Sequence, residues 1–102
     1  MEFKLSPRAK RDVLDITDYY SEIHDDLGER FVTELDAALR ELCLQPAMGS
    51  RRYAHFFPDK TLRVWQLDRF PFLLFYRVKD DLLDVLRVLH ERRDLSAKLI
   101  AI

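Results

Sequence analysis

Apolar residues recur along the first half of the chain at helical steps. Ala9, Val13, Ile16, Tyr20 and Ile23 follow at intervals of four, three, four and three, with mostly charged residues between them. Such spacing lays one apolar stripe along an amphipathic helix of about four to five turns. Ser6 supplies a capping hydroxyl, and Pro7 fits the first turn, where its missing N–H would be unpaired anyway. His24-Asp25-Asp26 interrupts the stripe, and Asp26 followed by Glu29 has the spacing of a capping box. Leu27, Phe31, Leu35, Ala38 and Leu42 then form a second stripe, which Pro46 and Met48-Gly49 end near Leu44. Ser6 to His24 and Asp26 to Leu44 are therefore predicted as an antiparallel helical hairpin.

The period changes in the second half. Leu62 to Leu67, Phe72 to Val78 and Leu82 to Leu89 are aromatic and aliphatic runs separated by Asp68-Arg69-Phe70-Pro71 and Lys79-Asp80-Asp81, the pattern of an antiparallel three-strand meander. Glu2 to Leu5 reads as a short N-terminal strand. Ser50 to Thr61 reads as a surface loop with room for a short strand at Arg51 to Tyr53, and Arg92 to Ile102 as a short C-terminal helix or tail. Helices thus segregate from strands, which predicts an α+β fold with the hairpin packed on one sheet face, in one domain spanning residues 1–102. Alternation puts Leu62, Val64 and Gln66 on one face and Arg63, Trp65 and Leu67 on the other. In the last strand it sets Leu83, Val85, Arg87 and Leu89 against Leu82, Asp84, Leu86, Val88 and His90. Neither set is wholly polar, so the uncovered face is expected to be partly apolar and to want a partner.

Charge changes this picture in one respect. Seventeen Lys and Arg against eighteen Asp and Glu give a net charge of −1, which argues against a general or sequence-specific nucleic-acid binder. The charges are unevenly spread. Nine acidic residues stand against Arg11 and Arg30 between Arg11 and Asp36, and five basic residues against Asp59 and Asp68 between Arg51 and Arg69. The single Cys43 excludes an internal disulfide. No apolar run approaches the roughly 20 residues of a membrane-spanning helix. A cytoplasmic address without membrane contact is expected.

Two glycines in the whole chain leave little material for phosphate-cradling loops or nucleotide fingerprints, and no cofactor is expected. His24, His55 and His90 are far apart in sequence, so a metal site would need them to converge with Cys43 or a carboxylate, and none is expected. His90 followed by Arg92 and Arg93 has the equipment of a metal-free ribonuclease, an acid or base beside cations. Against this, no second titratable group is placed by spacing to complete an acid–base pair, and His90 serves as well to cap the sheet, with Arg92 and Asp94 in surface contacts. Trp65, Phe70, Phe72 and Phe75 suit a core or a protein-binding patch better than base stacking. With Arg63 and Arg69 interleaved, Trp65 and Phe70 suit an acidic, amphipathic partner segment.

Taken in order, several short motifs resemble the ParE branch of the ParE/RelE toxin superfamily over nearly the whole chain. They are Leu5-Ser6-Pro7-Arg8-Ala9, Asp18-Tyr19-Tyr20, Arg30-Phe31, Pro46-Ala47-Met48-Gly49, Phe75-Tyr76-Arg77-Val78, and Arg87-Val88-Leu89-His90 with Arg92-Arg93-Asp94. The resemblance implies a toxin without a cofactor that is neutralised by a cognate antitoxin. Arg63, Trp65, Arg69 and Phe70 are then the expected antitoxin-binding residues. For the ParE branch it implies DNA gyrase as target and no catalytic residues. RelE-like relatives instead cut messenger RNA, using basic side chains on central strands and commonly a Tyr near the C-terminus. Here the corresponding strand positions are Val64, Gln66 and Leu73, and no Tyr follows Tyr76. This departure favours the gyrase reading. A ribonuclease is the alternative, with His90, Arg92 and Arg93 as its residues.

Overall fold

A computed structural model describes residues 1–93 and 95–100. Strand β1 (Glu2–Leu5) leads into helix α1 (Pro7–Ile23) and helix α2 (Asp25–Leu44), followed by strands β2 (Arg63–Gln66), β3 (Phe72–Lys79) and β4 (Leu82–His90) and by helix α3 (Leu95–Ile100). The expected meander is present, and β1 joins it as a fourth strand. The sheet order is β1-β4-β3-β2, antiparallel except that β1 runs parallel to β4. The C-terminal segment is helical over Leu95–Ile100, while Asp94, Ala101 and Ile102 lie outside the described residues.

Ser6 caps α1 as its type suggests, and its hydroxyl does two things. It accepts from the Ala9 N–H at 3.0 Å and donates to the Leu86 carbonyl at 2.8 Å, so the start of the helix is fastened to β4. The expected capping box at Asp26 and Glu29 is not used. His24 alone separates the helices, and its Nδ1 accepts from the Asp26 N–H at 3.2 Å. With one extended residue between the helices, Asp26 already lies inside the first turn. The helices approach closely at Gly28, where an added Cβ would collide with the Ser21 hydroxyl and lie 3.1 Å from the Thr17 carbonyl oxygen.

Between β3 and β4, Asp80 and Asp81 both have positive φ, 53° and 59°. That is the requirement of a tight two-residue hairpin turn, which short polar side chains tolerate. The expected strand at Arg51 to Tyr53 is absent, and only Ser50 pairs with Val64. Arg51 begins a turn instead, because Ala54 N–H bonds back to its carbonyl at 2.9 Å.

The sheet carries apolar clusters on both faces. On the helix side Phe31, Leu35, Leu39 and Leu42 pack on Leu74, Tyr76, Leu83 and Val85. Ile23, the last residue of the first stripe, is exposed. On the other side Leu62, Val64, Leu73, Phe75, Leu86 and Leu89 form a second cluster, covered by Leu99 of α3 and by Tyr53, Phe56 and Phe57 of the preceding loop. The expectation of an uncovered apolar face is therefore corrected: the chain closes that face with its own loop and last helix.

Simple alternation along β4 also fails. Phe75 pairs with Arg87 but Tyr76 with Val85, so β4 carries an extra residue, a bulge at Leu86. The phase shifts there. Val88 joins Leu83 and Val85 on the helix side, whereas Leu89 joins Leu86 on the other.

Candidate functional site

The four residues expected to hold a partner lie at the β2 margin, on the helix-facing side of the sheet. Trp65, opposite Leu74 on β3, and Phe70, in the turn before β3, are half-buried against the helix-side cluster. Phe70 stands in an aromatic group, its ring 5.0 Å from Tyr20 and 5.4 Å from Phe31. Arg69 has an exposed side chain, and its backbone N–H donates to Glu34 Oε2 at 3.0 Å, which ties this turn to α2. Arg63 is partly engaged within the fold, donating from Nη1 to the carbonyls of Gly49 at 2.8 Å and Ala47 at 3.2 Å. The margin thus offers two half-buried aromatic surfaces with cations beside them, the composition of a protein-binding patch.

His90 and Arg93 meet in a different place, a groove of about 450 Å³ between α1 and the end of β4 that also contains Asp12, Asp15, Tyr19 and Lys98. His90 packs edge-on against Phe72 at 5.5 Å, and its Nδ1 accepts from the Arg92 N–H at 3.2 Å. Arg92 is exposed in the turn and does not line the groove. The groove carries both signs of charge, Asp12 and Asp15 against Arg93 and Lys98, and its carboxylates are already paired, Asp12 with Arg87 and Asp15 with Arg11. The other histidines are elsewhere: His24 links the helices, and His55 lies against Phe56 at 4.5 Å. Among the described residues no three His, Cys, Asp or Glu side chains are grouped to hold a metal ion.

The strand positions at which ribonuclease relatives would carry cations are differently furnished. Val64 and Leu73 are buried in the second apolar cluster. Gln66 is exposed, and its Nε2 donates to Glu91 Oε2. None of these three side chains is a cation, and two of them are buried.

Two polar arrangements went unnoticed in the sequence. Asp12 accepts from Arg87 Nε at 2.8 Å, from Arg87 Nη2 at 2.9 Å and from the Val88 N–H at 3.0 Å, joining α1 to β4 with both side chains largely buried. The hydrogen-bonded carboxylate raises the Arg87 pKa further. An arginine flanked by Val85-Leu86 and Val88-Leu89 on β4 was the available signal, since a charge there requires a partner. The second arrangement centres on fully buried Tyr76, whose hydroxyl donates to the Pro46 carbonyl at 2.7 Å and accepts from the Gly49 N–H at 2.9 Å. Burial pushes its pKa up, against the opposing effects of the Gly49 bond and nearby Arg63. A Cβ at Gly49 would collide with the Tyr76 ring. The Pro46–Gly49 and Phe75–Val78 motifs are thus two halves of one junction.

These features define the class first: a helical hairpin and a mixed four-strand sheet, fastened by buried polar junctions, with a half-buried aromatic margin. A family model described as the ParE toxin of type II toxin-antitoxin system, parDE, matches residues 3–95, and the chain belongs to that family. It is similar in fold to a chain of the chromosomal ParDE TA system from P. aeruginosa, with a TM-score of 0.73 and 24% identity over 88% of this chain and 95% of that one. No curated relative matches the chain. No helix among the described residues is long and apolar enough to cross a membrane.

Proposed function

We propose that this ParE-family toxin inhibits DNA gyrase without catalysing a reaction and is neutralised by a cognate antitoxin. The observation that carries the first part is the closed second face of the sheet. Val64 and Leu73 are core residues there, and Leu99 and the loop aromatics lie over them. A metal-free ribonuclease needs acid, base and cations within reach of one phosphate. An inhibitor needs only a surface that binds one state of its target more tightly than another. Supercoiling and ribosome-bound messenger RNA cleavage, assayed on one preparation, separate the two. Gyrase inhibition with intact RNA is expected. RNA cleavage that disappears in His90→Ala, with gyrase unaffected, would make His90, Arg92 and Arg93 a ribonuclease site instead.

For neutralisation, the β2 margin with Arg63, Trp65, Arg69 and Phe70 is the proposed antitoxin surface. An acidic, amphipathic segment would lay its apolar anchors against Trp65 and Phe70 and its carboxylates near Arg69 and Arg63. Truncating a desolvated aromatic anchor costs about 2 kcal/mol or more of binding. Trp65→Ala is therefore expected to weaken antitoxin binding at least tenfold. Trp65→Ala and Arg63→Ala both within threefold of the unaltered toxin would exclude this surface.

A further inference from the structure

We propose that the chain also associates with a second copy of itself, through antiparallel pairing of the outer edges of two β1 strands. This is independent of the gyrase and antitoxin assignments. Strand β1 is the last in its sheet, bonded to β4 on one side only. The Ser6 N–H donates to the Val85 carbonyl at 2.9 Å. Along a strand the backbone groups of alternate residues point the same way, so Glu2 and Lys4 also turn their N–H and C=O toward β4. Phe3 and Leu5 turn theirs outward, and among the described residues no strand meets them. An open edge of this kind is a template for another strand.

The side chains select which strand. Residues directly opposite in an antiparallel pair must both present their backbone groups inward or both outward. With Phe3 and Leu5 as outward residues, three self-pairings keep several residues opposed. One sets Phe3 against Leu5 and brings Lys4 opposite Lys4 of the other copy; another sets Met1 against Phe3 and brings Glu2 opposite Glu2. Both place like charges face to face, which destabilises a strand pair. The remaining register is centred on Phe3 opposite Phe3. It places Glu2 of each copy opposite Lys4 of the other, and Met1 opposite Leu5.

This single register satisfies three demands together. Phe3 exchanges both backbone hydrogen bonds with its counterpart. On the face turned from the helices, where Glu2 and Lys4 are exposed, two opposite-charge pairs form. On the helix side, Phe3 and Leu5 pack at the border of the core, continuing it across the junction. That border exposes apolar side chains. Leu44, at the end of α2, is 82% exposed and Met1 48%, and both line a cleft with Phe3, Arg40 and Cys43. A second copy continuing the sheet brings its own α2 end across the two-fold axis and covers them.

Four residues per strand make a small contact, so the complex is weak. Sedimentation equilibrium should be run on the purified protein from about 1 µM to about 1 mM, the range in which so small an interface is half-formed. The mass is expected to rise from the 12.2 kDa monomer toward twice that value. Lys4→Glu and Glu2→Lys each create like-charge pairs and are expected to weaken association at least tenfold. The combined Glu2→Lys, Lys4→Glu variant restores opposite charges in exchanged positions and is expected within threefold of the unaltered chain. Both sites are exposed in the monomer, and unchanged thermal melting checks that folding is intact. A monomer throughout the range overturns the proposal. So does association that survives either single reversal, or a combined variant no better than the single ones.

Discussion

The two faces of the sheet are both apolar, yet they are closed by different means. On one side, two long helices present continuous stripes and are fastened through Ser6 to Leu86, Asp12 to Arg87, and Tyr76 to the Pro46–Gly49 turn. On the other, a short α3 supplies Leu99, and a loop without regular period supplies Tyr53, Phe56 and Phe57. Burial drives both closures, because each square ångström of apolar surface removed from water contributes about 25 cal/mol. They differ in how many residues must move together to reopen them. A helix hairpin buried along its length opens only with the whole fold, whereas a six-residue helix can detach locally.

The largest expected effect tests that difference. Phe31 is fully buried and packs against Phe70 and Phe72 with ring centres 5.4 and 5.7 Å away. Phe31→Ala is expected to cost about 3–5 kcal/mol of global stability in denaturant unfolding. Leu99 is equally buried, at 1% exposure, but its helix can release before the rest unfolds. Leu99→Ala is expected to cost only about 1–2 kcal/mol globally. Native-state hydrogen exchange should show faster exchange in α3 and the residues 51–60 loop, with little change in α1 and α2. Equal global costs for the two substitutions would mean that both faces unfold as one unit.

The same contrast explains what could be read from the sequence. The helix stripes, the meander and the two-aspartate turn follow short-range periodicities, so their residues announce their neighbours. The closed second face could not be read in this way. Tyr53, Phe56 and Phe57 have no helical or strand spacing, and which apolar surface a loop covers is a tertiary fact. The bulge at Leu86 likewise reversed the facing of Val88 and Leu89 without any local glycine or proline to mark it. At the candidate interface, the aromatic and basic residue types were legible. The engagement of Arg63 with the Ala47 and Gly49 carbonyls was not, because it joins residues 14 and 16 positions apart through a turn.

A further expected effect concerns the polar fastening of the helix side and has a pH signature. Tyr76→Phe keeps the ring but leaves the Gly49 N–H and Pro46 carbonyl without their hydroxyl partner, an expected loss of about 1–3 kcal/mol near neutral pH. The hydroxyl is protonated in the fold, and its pKa is raised above the ordinary 10.0, chiefly by burial. Its contribution is therefore fully present below pH 10 and is lost as pH rises from 10 through the higher folded value, where the unfolded chain has already given up the proton. Tyr20, also raised by burial and by neighbouring Tyr19, adds to the same alkaline decline. Denaturant stability measured between about pH 8 and 11.5 should fall for the unaltered chain. Tyr76→Phe should start lower and fall less steeply, keeping only the Tyr20 component. Leu99→Ala removes no ionisable group, and among the described residues the buried members of the second cluster are all Leu, Val or Phe, with Tyr53 only half-buried over them, so the offset between Leu99→Ala and the unaltered chain should stay nearly constant across that range. An offset for Leu99→Ala that changes with pH, or an alkaline slope left intact in Tyr76→Phe, would show that the two faces are not separately fastened in the way their chemistry implies.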